Sequence, residues 1–228
     1  MQRAQSAACL AHGDPDRHGA LGDRLPCFTG AARPSLIYDY YGFPPDIYEL
    51  RYDAPGDPAL ASRVASLLHD AGFASTVNPN HGWDHSVFIP LKVMFPAADI
   101  PAVAMSLQKS LGPTLHCELG AALQSLRDEG VLIVGVGRSY HNLRDFAAAA
   151  SASYDFHDWL EGALSGTWQE RTQRLARWHE APGGRASHPR EEHLLPLMIS
   201  SGAGSDLPVR RLWRGSVGQS CLAAWAFD

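Results

Sequence analysis

The stretch Val131-Leu132-Ile133-Val134-Gly135-Val136-Gly137-Arg138-Ser139-Tyr140-His141 decides how the chain is read. Four consecutive aliphatic residues spell a strand buried on both faces, the pattern of a parallel sheet. The glycines that follow allow close backbone approach. His141 then falls in the loop at the carboxyl end of the strand, where open α/β sheets build their sites. Position alone leaves a plain surface-loop histidine as an equal reading.

Outward from this strand, helix and strand patterns alternate. Leu119, Ala122, Leu123 and Leu126 share one face of a helix expected over 115–129, and 102–107 reads as a buried strand. Asp57 is a good N-cap with Pro58 at the first helical position; Leu60, Val64, Leu67 and Leu68 recur at helical spacing until Gly72 stops the run. Residues 36–41, 47–52 and 73–77 read as extended, 87–95, 155–164, 167–179 and 191–201 as helical, 182–185 as a loop and 218–227 as a closing strand. This predicts an α/β fold, a single domain with a mixed, largely parallel central sheet and helices on both faces. Residues 1–35 contain no Val, Ile, Tyr or Trp, so they are expected to be an atypical, poorly ordered N-terminal segment without a core strand, and 36–228 the domain proper.

Composition narrows the chemistry. With 45% hydrophobic and 19% charged residues, the chain is a folded globular protein rather than a disordered one. A net charge of −5 disfavours general nucleic-acid binding. No apolar stretch suits a bilayer and no signal peptide is visible, so a cytoplasmic location with no membrane partner is expected. Cys9, Cys27, Cys117 and Cys221 are scattered, which fits neither a thiolate zinc site nor a disulfide framework. Catalysis therefore falls to the 11 histidines. Most have ordinary readings: His69, His157 and His179 on the outer faces of helices, His116 at a helix start. Glu191 and Glu192 suit a helix N-terminus through the macrodipole. Arg210, Arg211 and Arg214 form a solvated basic cluster. His85 stands in Gly82-Trp83-Asp84-His85, with Asp84 either an N-cap or a support for a site. His188 and His193 frame a proline-led helix start, His188 in the loop and His193 in the first turn on the face of Leu197. Gly135-Val136-Gly137 is too short for a dinucleotide fingerprint, and no Gly-x-Ser-x-Gly elbow is present.

Four segments taken together resemble a known family. They are Tyr38-Asp39-Tyr40-Tyr41-Gly42-Phe43-Pro44-Pro45-Asp46-Ile47-Tyr48-Glu49-Leu50-Arg51-Tyr52, Gly82-Trp83-Asp84-His85-Ser86-Val87-Phe88-Ile89-Pro90-Leu91, His141-Asn142-Leu143-Arg144 and His188-Pro189-Arg190-Glu191-Glu192-His193-Leu194-Leu195-Pro196-Leu197. Their order and spacing are similar to those of the class III extradiol ring-cleavage dioxygenases of the 4,5-DOPA dioxygenase type, relatives of the protocatechuate 4,5-dioxygenase catalytic subunit. The resemblance implies one non-haem Fe(II), with zinc often in its place in isolated proteins, and a catechol-type substrate such as L-DOPA. Dioxygen cleaves the ring beside the diol to give a muconic semialdehyde. It implies His141 as acid/base, His193 as metal ligand and His85 as a second active-site histidine at substrate or dioxygen. His188 and Tyr41 would border the substrate.

The family's two further histidine ligands lie near its N-terminus. Ala11-His12-Gly13-Asp14-Pro15 resembles either of the two turns only loosely, and His18 lies nearer the second ligand's spacing among different neighbours. His12 and His18 are the candidates for those ligands. About thirty residues of the usual N-terminal unit are expected to be missing, so an altered-start chain that holds metal poorly is the expectation. Two other classes stay open: a metal-poor binding or scaffold protein, and a zinc-dependent hydrolase, which needs an open zinc position for water.

Overall fold

The computed structural model describes residues 6–10, 25–144 and 150–228, the side chains of 6–10 and 150 excepted. They gather into two compact units, Met1–Lys109 with Ser125–Val136, and Ser110–Gln124 with Gly137–Asp228. The α/β class expected from the alternating pattern is what the chain adopts. No helix among the described residues is long and apolar enough to cross a membrane.

The first unit is built on a five-stranded sheet. Its strands are β1 (Ser6–Leu10), β2 (Cys27–Thr29), β4 (Thr76–Asn78), β6 (Ala102–Met105) and β7 (Val131–Gly135), in the order β4-β2-β6-β1-β7. β1 runs parallel to both neighbours, with Ala7 opposite Ala102 and Leu132; only β2 and β6 are antiparallel, meeting at Phe28 and Met105. β1 corrects the expectation that the first 35 residues hold no core strand. The ladder is made by main-chain groups, so Ser-Ala-Ala-Cys-Leu can occupy an inner position that a search for β-branched runs passes over.

Helix α1 (Pro58–Asp70) follows the sequence signals closely. The Asp57 carboxylate accepts from Leu60 N at 2.9 Å, Leu60, Val64 and Leu68 are buried, and Gly72 closes the helix at φ +84°. Two further strands, β3 (Leu36–Ile37) and β5 (Trp83–Asp84), form a two-residue parallel pairing, Leu36 opposite Trp83 and Ile37 opposite Asp84. Helix α2 (His85–Met94) starts directly after it. The expected strand over 36–41 is thus cut short. The Tyr38 and Tyr40 hydroxyls donate to the carbonyls of Leu50 (2.5 Å) and Ile47 (2.8 Å), which folds the chain back over a 3-10 turn at Pro45–Glu49 instead of the extended piece expected at 47–52. Trp83, Val87, Phe88 and Leu91 bury against Tyr52, Ile100 and Ala102 as the core beneath this pairing.

The second unit holds α3 (Pro113–Ala122), α4 (Ala150–Ala163), α5 (Trp168–Ala176), the short α6 (Gly184–Ser187), α7 (Leu195–Gly204) and a hairpin of β8 (Val209–Val217) with β9 (Ser220–Phe227). α3 packs on α7, and β9 on α4. Thr167 and Glu170 form a reciprocal capping box at the start of α5. The sequence pattern anticipates β9 but not β8. Arg210, Arg211 and Arg214 are not simply solvated: they pair with Asp228, Glu161 (3.0 Å) and Asp158 (2.7 Å). The helix expected over 191–201 begins four residues late. Pro196 lacks an N–H and is favoured in a first turn; α7 starts at Leu195, and Glu191, Glu192 and His193 occupy the turn before it.

Candidate functional site

In the second unit, the loop after residue 136 and the turn before α7 are joined by main-chain bonds. Arg138 N–H donates to His193 O at 3.0 Å, and His141 N–H to Ser187 O at 2.9 Å. Gly137 makes this approach possible, because a Cβ there would stand 2.3 Å from the His193 carbonyl oxygen.

Ser139 ties the loop down from beneath. Its carbonyl accepts from His188 Nε2 at 3.1 Å, and its Oγ accepts from Ala223 N–H at 3.0 Å. His157 Nδ1 faces the Ser153 carbonyl at 2.6 Å and therefore carries the proton, so its Nε2 accepts from the Ser139 hydroxyl at 2.8 Å. His157 is fully buried rather than on an outer helix face. Burial, offset only in part by the bond to Ser153, lowers its pKa. His188 is likewise fully buried, edge-on to Phe156 and Trp178 at 5.5 and 5.9 Å, and burial pushes its pKa down to about 3. It is a neutral anchor of the loop that carries His141. His116, expected at a helix start, sits in the first turn of α3, buried, with Nδ1–H on Gly112 O at 2.7 Å.

These bonds bring His141 and His193 together. Their ring centroids lie 3.4 Å apart, and Glu192 Oε1 is 3.9 Å from His141 Nδ1. One ligand atom from each of His141, Glu192 and His193 falls within 4.8 Å of the others. The Glu192 side chain is only 15% exposed; its Oε2 is buried without a hydrogen-bond partner, the Arg190 Nε standing 3.6 Å away. A buried carboxylate oxygen with unused lone pairs is costly. Beside the His193 imidazole, with His141 adjoining, it fits a divalent first-row metal, for which imidazole and carboxylate together are an apt donor set. By sequence alone Glu192 suits a helix-terminus charge and nothing more. Its position next to His193 was the available signal, and the turn before α7 is what aims it.

The first unit carries a separate constellation. The β3–β5 pairing sets Asp39, two residues past β3, beside His85, one residue past β5. Asp39 Oδ1 accepts from His85 N–H at 3.2 Å and from His85 Nδ1 at 2.7 Å. Burial opposes ionisation of Asp39, but the bonds from the His85 side chain and main chain outweigh it and hold the carboxyl below its ordinary value. Tyr40 meets the His85 ring edge-on at 5.8 Å. Asp84, the residue weighed as support for His85, instead caps α2 through Ser86 N–H at 2.9 Å. Gly82 fits under Ser35, whose carbonyl oxygen would be 2.2 Å from a Cβ. Tyr41 is 85% exposed on the adjoining loop. His12 and His18 lie outside the described residues. Cys27, Cys117 and Cys221 are free thiols, and burial pushes Cys117 up to about 12, so it is inert.

The family model described as "Catalytic LigB subunit of aromatic ring-opening dioxygenase" matches residues 16–220. Dioxygenase tasH of Hapsidospora irregularis is 41% identical over 222 residues, covering 86% of this chain and 68% of that protein. The 4,5-DOPA dioxygenase extradiol of Portulaca grandiflora is 38% identical over 80% of this chain and 69% of its own length, and that of Escherichia coli K12 is 36% identical over 83% and 73%. A crystal structure of an uncharacterized protein from Escherichia coli K12 superposes with a TM-score of 0.77 at 27% identity, covering 99% of this chain and 86% of that one. A family match across most of the chain, with relatives above one third identical, makes the chain a member of the metal-dependent LigB family of aromatic ring-opening, class III extradiol dioxygenases.

Proposed function

We propose that the chain cleaves a catechol-type substrate such as L-DOPA beside its diol with dioxygen, yielding a muconic semialdehyde, and that Fe(II) is its metal. The convergence of His141, Glu192 and His193 supports this reading most directly. Relatives at 35–41% identity bear the names dioxygenase and 4,5-DOPA dioxygenase extradiol. His193 and Glu192 would hold the metal, and His12 and His18 remain the sequence's candidates for further imidazole ligands. Bound there, Fe(II) supplies a Lewis-acidic centre that favours deprotonation of the diol and activates dioxygen.

The protein's own groups manage the protons. His141, fixed by its main-chain bond to Ser187, takes a proton from a catechol hydroxyl and returns it to the opened product, a task for an imidazole that exchanges protons near neutrality. Glu192 Oε1 stands 3.9 Å from its Nδ1. His85 is the second proton-handling histidine, at substrate or dioxygen. His188 keeps the His141 loop in place, and Tyr41 contacts substrate. In the balance, catechol and dioxygen combine one to one: the ring C–C bond beside the diol breaks, and both oxygen atoms remain in the product.

The test is oxygen uptake and appearance of a yellow product when protein loaded with Fe(II) meets L-DOPA or protocatechuate. Oxygen uptake with a semialdehyde product is expected from the fraction of protein that holds Fe(II). Fully loaded protein that consumes no oxygen with either catechol refutes the reading. H141A should abolish ring opening and keep its metal; loss of metal instead makes His141 a ligand.

A further inference from the structure

Asp39 and His85 belong to different segments of the first unit, 46 residues apart, yet one carboxylate oxygen meets both the ring and the main chain of the histidine. An ionised carboxylate has no proton to give, so the 2.7 Å contact requires a proton on His85 Nδ1. The second bond, from His85 N–H, holds the oxygen in place, and the β3–β5 pairing fixes the two strand ends that carry the partners. Tyr40, edge-on to the ring, limits its rotation.

We propose that Asp39 is the positioning residue of His85: it locks the imidazole in the Nδ1–H tautomer and so makes Nε2 the nitrogen that exchanges protons. The same logic governs an imidazole oriented by a buried aspartate in hydrolases, where the wrong tautomer disables the base. The proposal rests on the reading of His85 as a proton-handling residue. Asp39 remains ionised for the reason given above, with the His85 bonds overcoming its burial. A purely structural role, in which Asp39 only fastens the start of α2, is the competing explanation.

Two variants separate these. D39N removes the charge but keeps an amide oxygen able to accept both bonds; D39A removes the acceptor. Long-range 1H–15N spectra of zinc-loaded, histidine-labelled full-length protein, assigned with H85Q, read the tautomer directly and need no turnover. The expected result is Nδ1–H in the wild type and in D39N, and a mixture with Nε2–H in D39A. With Fe(II) and L-DOPA, D39A should lose roughly 10–100-fold in kcat with KM within about threefold, and D39N should recover part of the loss. Nε2–H in the wild type overturns the proposal whether or not either variant folds. So does a D39A protein with unchanged tautomer, or with unchanged kcat in an active enzyme. If the tautomers behave as expected but wild-type protein cleaves no catechol, the lock is upheld and the ring-cleavage reading alone fails.

Discussion

Lowering the pH should destabilise the protein through His188, by an amount that can be worked out. The folded group stays neutral down to about 3, against an ordinary value of 6.5, because it is buried between Phe156 and Trp178. Its folded value is depressed, so its contribution is complete above about pH 6.5 and is lost as the pH falls toward 3. At pH 5.0 the unfolded imidazole is almost wholly protonated and the folded one almost wholly neutral. The 1.5-unit gap between 6.5 and that pH, at about 1.36 kcal/mol per unit, is a loss of about 2 kcal/mol from this residue alone. Against a typical total of about 5–15 kcal/mol this is easily measured. His157 and His116, both lowered by burial, act in the same direction. The assay is urea unfolding followed by tryptophan fluorescence at pH 7.5 and 5.0, with chelator present to remove metal linkage, for wild type and H188Q. H188Q has nothing to titrate, so its loss between the two pH values should be smaller by about 2 kcal/mol, whatever its absolute stability. Equal losses in the two proteins, or an NMR titration of folded His188 near 6.5, refute the reasoning.

Three other outcomes follow from the geometry. E192Q keeps the shape of the turn but removes the carboxylate charge, and should weaken divalent-metal binding at least ~10-fold in a chelator competition; unchanged affinity refutes Glu192 as a ligand. G137A places a methyl carbon against the His193 carbonyl, and should lower the melting temperature by about 4–8 °C, from a cost of at least ~2 kcal/mol, and impair metal retention. R171M should melt at the wild-type temperature or above it, because the buried Arg171 guanidinium leaves Nε and Nη2 without hydrogen bonds, against one bond from Nη1 to Leu207 O at 3.1 Å and the Phe227 ring 5.5 Å from Cζ, which a methionine can also pack on; a drop of more than about 5 °C contradicts that.

The legible parts of the fold were those written in side-chain pattern. Asp57, Pro58 and Gly72 mark α1 to the residue, and the aliphatic run at 131–134 marks β7. β1 was hidden because its pairing is main-chain work done by small residues, and β8 because its clustered arginines look like surface charge until their acidic partners on α4 and at Asp228 are known. His157 shows the same limit: its helix looks amphipathic, and only the hairpin and Ser139 make its face an inner one. At the candidate site, His141 and His193 stood out by residue type and motif. Their closeness did not, since it depends on a glycine and a carbonyl 56 residues apart. Asp39 was visible only as part of a motif, because a contact between two strand ends has no local signature.

The clasp between the His141 loop and the His193 turn has a consequence for evolvability. Its cross-links, Arg138 N–H to His193 O and His141 N–H to Ser187 O, run entirely through peptide groups. The side chains of Arg138 and Ser187 are not what carries them. Mutation can therefore alter side chains around the clasp while the segments bearing His141 and His193 keep their spacing, so long as position 137 stays a glycine. A lineage built on such a joint can vary the side chains around it without first having to rebuild the corner where His141, Glu192 and His193 meet.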